Sequence, residues 1–261
     1  MEFIYALAPM ENITNDSFRT LTHKYGADVT FTEMVMIKAL SNNNKSSLSR
    51  IKITNNVPTI IQLVGLNENQ LEKFLEKFTP EPGFLGFDLN IGCPAASVVN
   101  HGMGCAMIKR VSKVAKLVLL VKDKGYKISV KMRLGANKFE KDKKAYLNLI
   151  KRVPADYFIV HARHGKETFN EPADWSIFRE CCQTGKNIIA NGDIKTKEDV
   201  AQLTSYGVKG VMIGRAAIKN PAIFDILKGK EVPHIAEIRK ELKELIEDKT
   251  VAKNILRQMK G

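Results

Sequence analysis

Acidic residues are the minority charge in this chain, 28 Asp and Glu against 41 Lys and Arg over 261 residues, which leaves a formal net charge of +13. An excess of that size favours polyanionic partners, nucleic acid first among them, although a lysine-rich surface without such a partner has the same composition. Cysteine is scarce as well. Cys93, Cys105, Cys181 and Cys182 form no C-x-x-C pair and no Cys/His cluster with zinc-like spacing, so neither a disulfide framework nor a metal site is indicated, and a reducing cytoplasm is the expected setting. Long apolar runs are missing. Nothing reaches the roughly 18 residues of a membrane span, and the amino terminus, with Glu2, has no basic region followed by an apolar stretch. The protein is expected to be neither exported nor membrane-spanning. A G-x-G-x-x-G after the first apolar strand is absent too, which counts against an open doubly wound sheet.

What is present is a core and an alternation. With 44% hydrophobic residues the chain can bury one barrel-sized domain. Strand patterns fall at Phe3–Ala8, Val29–Thr32, Thr59–Val64, Gly86–Asn90, Lys127–Lys131, Tyr157–Val160, Asn187–Ala190 and Gly210–Ile213. Helical patterns lie between them at Asp16–Tyr25, Glu68–Phe78, Val111–Lys122, Lys143–Arg152, Ile177–Cys182 and Lys197–Ser205, with Pro221–Leu227 after the last strand and no clear reading for Met34–Leu40. Eight strand–helix repeats predict an α/β fold, a (β/α)8 TIM barrel over residues 1–225. After Pro233, Ile235, Ile238, Leu242, Leu245, Ala252, Ile255, Leu256 and Met259 recur at threes and fours, so residues 226–261 are expected to form a short helical extension, broken near Asp248–Thr250.

Barrels place their chemistry at the carboxyl ends of the strands. Here those ends carry Pro9 and Met10, Glu33, Gln62, Asn90 with Cys93, Lys131 with Arg133, His161 with Arg163, Asn191-Gly192-Asp193, and Gly214-Arg215. The last two, in "IIANGDI" and "GVMIGRAAI", suit a phosphate monoester such as that of FMN, through freed backbone N–H groups and the Arg215 guanidinium. Gln62 and Asn90 offer amides to a flavin ring, and Lys131 offers a cation for the charge that develops on reduction. In "GFDLNIGCP", Pro94 stops the strand, Gly92 is expected to let the backbone approach a ligand, and Cys93 is presented as a reactive thiol; a buried structural cysteine is the alternative. Lys109, Lys113 and Lys116, with Arg110 beside them, are expected to set a basic stripe near that thiol.

The stretches "LAPMENITNDSFR", "FDLNIGCPA", "VKMRLG", "VHARHGKETFNEPADW", "IIANGDI" and "GVMIGRAAIKNPAIF" resemble, in order and spacing, the motifs of the tRNA-dihydrouridine synthases. Members of that family are FMN-containing (β/α)8 barrels that reduce uridine in tRNA to 5,6-dihydrouridine. The resemblance implies FMN as cofactor, NADPH or NADH as reductant and tRNA as partner. It makes Cys93 the catalytic acid that protonates uracil C5 after hydride reaches C6. A free thiol, with a reference pKa of about 8.5, is mostly protonated at neutral pH and can act so. It makes Ala8, Pro9, Met10, Gln62, Lys131, His161, Asn191, Gly192, Asp193, Gly214 and Arg215 the FMN neighbours, and Asn90, Arg133 and Arg163 the lining of the uracil pocket. The target base would be flipped out of the RNA to reach the site.

The chain departs from the family where Ala95-Ala96-Ser97 stands in place of a common lysine, where His164 follows Arg163, and where Phe169 replaces a frequent tyrosine. His164 reads as a surface residue. The carboxy-terminal segment is shorter than the family's helical domain. A monomer is expected. The alternatives are a dihydroorotate-dehydrogenase-like FMN enzyme, which needs no basic surface, and a tRNA-binding flavoprotein with weak turnover.

Overall fold

The computed structural model describes residues 2–246 and 249–259. Its strands are β1 (Ile4–Leu7), β2 (Thr30–Phe31), β3 (Val35–Met36), β4 (Thr59–Val64), β5 (Phe84–Ile91), β6 (Ile128–Arg133), β7 (Tyr157–His161), β8 (Ile188–Asn191) and β9 (Gly210–Ile213). All pair in parallel, in the order β1-β9-β8-β7-β6-β5-β4-β2. The ring closes between β1 and β2 through the Ala6–Val29 bridge, with the Leu7 N–H donating to the Val29 carbonyl at 2.9 Å and the Asp28 N–H to the Tyr5 carbonyl at 2.9 Å. Parallel strands need crossovers, and the helices between them supply these, which gives the (β/α)8 barrel.

The differences from the sequence reading are local. The second stave is split: β2 is only two residues long, and the chain pairs again at β3, alongside Leu63 and Val64. That resolves Met34–Leu40 into a strand running into the helix Ile37–Ser41. Strands β6 and β7 extend to Arg133 and His161, since those residues still find ladder partners. An unforeseen helix, Lys138–Asp142, starts where the Asn137 side chain caps the Glu140 N–H, and the following one begins at Ala145 after Lys144 adopts a left-handed conformation. Thr196 and Asp199 form a capping box at the start of the helix Lys197–Ser205.

Two apolar layers result. Inside the barrel, Ala6, Phe31, Ile60, Ile159, Ile189 and Met212 fill the amino-terminal half and leave the carboxyl end free for polar groups. Outside, strands and helices bury a continuous core. The helices Ile235–Leu245 and Lys249–Gln258 turn Ile238, Leu242 and Ile255 fully inward. The first helix lies against Asp16–Lys24: the Ser17 hydroxyl donates to the Leu245 carbonyl at 2.8 Å and the Tyr25 hydroxyl to Glu241 at 2.8 Å. Of the expected break, Asp248 lies outside the described residues, and Lys249 already opens the second helix. Among the described residues, no helix is long and apolar enough to cross a membrane.

Candidate active site

Side chains alternate along a strand, so residues two apart share a face. On β4, β5 and β6 this puts Gln62, Asp88, Asn90, Ser129 and Lys131 on the interior, and register pairs Gln62 with Asp88, Asp88 with Ser129 and Asn90 with Lys131. Above them opens a cavity of about 510 Å3. Ala8, Pro9, Met10, Gln62, Asn90, Cys93, Lys131, Arg133, His161, Asn191, Gly192, Asp193, Gly214 and Arg215 all line it. Its size is that of a cofactor site. Met34, Phe169, Lys195 and Lys219 line it as well, without any strand-end signal to announce them.

Arg163 does not line it. The side chain is 0% exposed and lies behind the cavity wall, donating through Nε to the Glu171 carbonyl at 2.7 Å and pairing with the lining residue Asp193 at 2.5 Å. The expectation that Arg163 lines a uracil pocket is thus corrected: it ties the loop after β7 to the loop after β8. Its fellow candidate Arg133 does reach the cavity while holding that same loop, donating to the His164 carbonyl at 2.8 Å. His164 is not a surface residue either; its side chain is 12% exposed and its Nδ1 accepts from the Lys166 N–H at 3.1 Å.

Cys93 is half-buried, on a loop pinned from two sides. The Asn90 side-chain oxygen accepts the Gly92 N–H at 3.0 Å and the Cys93 N–H at 2.9 Å, and the Cys105 N–H donates to the Cys93 carbonyl at 3.0 Å. Gly92 lies on the cavity and packs closely on β6 as well: a Cβ there would meet the backbone of Met132 and Arg133 at 3.1 to 3.2 Å. The basic stripe is thinner than its spacing indicated, because Lys109 pairs with Glu140 at 3.0 Å and Lys113 with Glu68 at 2.6 Å.

At the other end of the cavity, Asp193 is clamped between two guanidinium groups, Arg163 and, at 2.6 Å, Arg215. Burial pushes its carboxyl up, but the hydrogen bonds from Arg163 and the Ala173 N–H and the two positive charges hold it below the usual range. The "EPADW" segment supports this turn, with Trp175 Nε1 donating to the Gly192 carbonyl at 2.9 Å. Gly192, at φ +118°, has a conformation that L side chains rarely adopt. Phe169, 55% exposed on the rim, lies 4.0 Å beneath the Arg215 guanidinium.

The floor is cationic but sparingly so. Burial lowers the Lys131 ammonium to about 8, opposed by Asp88, and its Nζ donates to Asn191 Oδ1 at 3.1 Å. His161, 9% exposed, is lowered to about 2 by burial and then by Lys131, Arg133, Arg163 and Arg215, so its ring is neutral at physiological pH. Its Nδ1 has no hydrogen-bond partner among the described residues. A buried polar atom without a partner, on the wall of a cavity with a positive rim, fits a polar, anionic ligand; FMN, with its ring amides and phosphate, meets that description.

His161 also predicts an acid limb in stability. Its folded-state value lies below the unfolded one, so its contribution is complete above about pH 6.5 and is lost as pH falls from there toward about 2, by at most about 1.4 kcal/mol per unit. Denaturant midpoints of the apoprotein are expected to decline from pH 7 to 5, and to decline less in His161→Gln. Equal slopes in both proteins would assign the limb to other groups.

The family model described as Dihydrouridine synthase (Dus) matches residues 6–260. A probable tRNA-dihydrouridine synthase of Helicobacter pylori is 32% identical over 246 residues, covering 90% of this chain and 73% of the relative. The tRNA-dihydrouridine synthase B of Pseudomonas putida is 31% identical, covering 87% and 67%. A Saccharomyces cerevisiae tRNA-dihydrouridine(20a/20b) synthase, whose name carries NAD(P)+, is 27% identical, covering 83% and 60%. In fold alone, the chain is similar to FabK of Thermotoga maritima, with a TM-score of 0.52 at 13% identity over 85% of this chain and 64% of the other. The same holds for a nitroalkane oxidase of Streptomyces ansochromogenes, with a TM-score of 0.52 at 11% identity over 83% and 66%.

Proposed function

The chain belongs to the dihydrouridine synthase family, and on that premise we propose that its cavity holds FMN and reduces uridine in tRNA to 5,6-dihydrouridine, with NADPH or NADH as the source of electrons. Membership makes the protein a flavin-dependent oxidoreductase that acts on tRNA. The observation that carries the residue assignment is the meeting of Cys93, Lys131, His161 and Arg215 on one cavity at the carboxyl face of the barrel.

FMN, when bound, supplies the hydride that goes to uracil C6. The chain's own residues do the rest. Cys93, on a loop whose backbone is tied at both faces, holds the proton that completes the reduction at C5. Lys131, fixed by Asn191, provides positive charge beside a ring system that becomes more negative on reduction. The neutral His161 has one ring N–H to donate and no net charge to compete with Arg215 for the phosphate. Arg215 and the turn at Gly192 and Gly214 hold that phosphate, while Arg133 and Asn90 flank the opening that the base enters. Lys195 and Lys219 leave the rim positive toward an RNA backbone. We assign this chemistry to residues 1–225, leave RNA orientation to residues 226–261, and place the enzyme in the cytoplasm as a monomer.

The test is direct. Purified protein should be yellow, bleach with NADPH, and regain colour when unmodified tRNA is added, with dihydrouridine detected by mass spectrometry of the recovered RNA. Reoxidation by orotate instead would move the assignment to the dihydroorotate-dehydrogenase-like alternative. Tight tRNA binding without product would favour a binding protein.

A further inference from the structure

One carboxylate at the floor of the cavity has no part in the chemistry above. Asp88 stands on β5, two residues before Asn90 and therefore on the same inner face, and it is 0% exposed. Its Oδ1 accepts from the Ser129 hydroxyl at 2.7 Å and its Oδ2 from Gln62 Nε2 at 2.7 Å. Gln62 Oε1 in turn accepts from Asn90 Nδ2 at 2.9 Å, and Asn90 Oδ1 accepts the N–H groups of Gly92 and Cys93. The chain of hydrogen bonds therefore runs without a gap from a buried carboxylate to the backbone of the proposed acid.

The backbone end of that chain admits only one direction. A backbone N–H can only donate, so the Asn90 oxygen must face Gly92 and Cys93, and its nitrogen must face Gln62. Gln62 must then accept through its oxygen, which leaves its nitrogen facing Asp88, whose carboxyl is pushed up by burial and held down by Ser129, Gln62 and Lys131. Amide orientation is ordinarily ambiguous; here the backbone N–H groups force it.

We propose that Asp88 is a positioning residue of this active site, which acts through Gln62 and Asn90 to hold the Cys93 loop in place and to make the cavity floor a donor of hydrogen bonds. Each amide nitrogen spends one hydrogen within the chain and keeps a second beside the cavity that both residues line. Such a floor takes ring carbonyl oxygens and disfavours ring N–H groups, which selects the carbonyl edge of a pyrimidinedione. The ligand identity rests on the FMN and uridine reading above; the positioning role does not. Asp88 also faces Lys131 and offsets the burial that lowers it, while Arg133 on β6 lowers it further, Cys93 in the loop raises it, and Tyr157 and His161 face the same interior from β7.

Asp88→Asn keeps the shape but puts an NH2 in place of one carboxyl oxygen, so one of the two hydrogen bonds that Asp88 accepts, from Ser129 and from Gln62, is lost. Three results are expected. FMN affinity, read by flavin fluorescence, falls about ten- to a hundredfold, within the range for leaving a buried hydrogen-bonding group unsatisfied. Alkylation of Cys93 by iodoacetamide in the apoprotein changes rate by a similar factor, because the loop is no longer held. The alkaline limb of FMN binding, set by Lys131 near pH 8, moves to lower pH. A folded Asp88→Asn protein with wild-type FMN affinity, alkylation rate and alkaline limb overturns the proposal. If that variant does not fold, Gln62→Met carries the test by cutting the chain in its middle: an altered rate of Cys93 alkylation in the apoprotein supports the relay, and a wild-type rate overturns it. Absence of tRNA reduction by the wild-type protein would sink the functional reading and leave these flavin and alkylation results standing.

Discussion

Cys93→Ala is expected to lower dihydrouridine formation about 10²- to 10⁴-fold, the range in which a positioned general acid contributes. Binding of FMN and its reduction by NADPH should stay near wild type, since the Cys93 backbone, not its thiol, makes the hydrogen bonds that shape the loop. The loss belongs in the second half-reaction, and the measurement is reoxidation of the reduced protein by unmodified tRNA in a single turnover, with the RNA analysed by mass spectrometry. Neither Cys105 nor His161 is suited to take over. Cys105 is buried, its thiol is pushed up by that burial, and its N–H is committed to Cys93. His161 is neutral and would have to give up the proton its ring carries as an imidazole, a far weaker acid than a thiol. A variant within a few-fold of wild type would show that the proton arrives from another donor and that Cys93 is one more packed cysteine.

Asp193→Ala should have the largest effect on stability, about 3–5 kcal/mol, because it strips the counter-charge from an arginine with no exposure to water. Among the described residues, Arg163 would keep only the Glu171 carbonyl as a hydrogen-bond partner, and its Nη1 has none even in the wild type. At the size of this domain that loss corresponds to a fall in melting temperature on the order of 10 °C. The same change frees Arg215, whose guanidinium is held by Asp193 from one side and by Phe169 from below, so FMN affinity should fall with it. Thermal denaturation of the apoprotein measures the first effect apart from the second. The double variant Asp193→Ala/Arg163→Met separates a buried-charge effect from a packing effect: with the unpaired charge gone, it should recover part of the lost stability. Additive losses would mean that the ion pair contributes nothing of its own.

Much of this site can be read along the chain because barrels put chemistry where strands end, and strand ends are visible as the point where an apolar run meets Gly, Pro, Asn or a charge. Gln62, Lys131, His161, Asn191 and Arg215 each follow such a run, and the structure gathers them on one cavity. Arg163 follows one too, immediately after His161 and Ala162, but a strand end carries side chains to both faces, and Arg163 is buried behind the cavity wall against Asp193. Nothing in the local sequence distinguishes the two directions. Asp88 was hidden for the opposite reason: it lies inside a strand, where the eye passes over it as an interruption of an apolar run. The signal was its spacing of two from Asn90, which puts a charge on the same inner face as a residue already under suspicion.

The sequence by itself determined the barrel, the presence of a cysteine just past the end of a strand, the glycine-bearing turns after β8 and β9, and a family resemblance carried by short motifs of fixed order. These are local properties: periodicity, punctuation by glycine and proline, and residue type at a strand end. Only the tertiary structure decided that Gly92 makes room for β6, that Arg163 and Arg215 share one carboxylate, and that Asp88 speaks to Cys93 through two amides. The reason is physical. Each of those relations joins residues on different strands or on the loops between them, and the register that brings Gln62 opposite Asp88, or Asn90 opposite Lys131, is set by how whole strands pack around the barrel and not by any stretch of chain that contains them both.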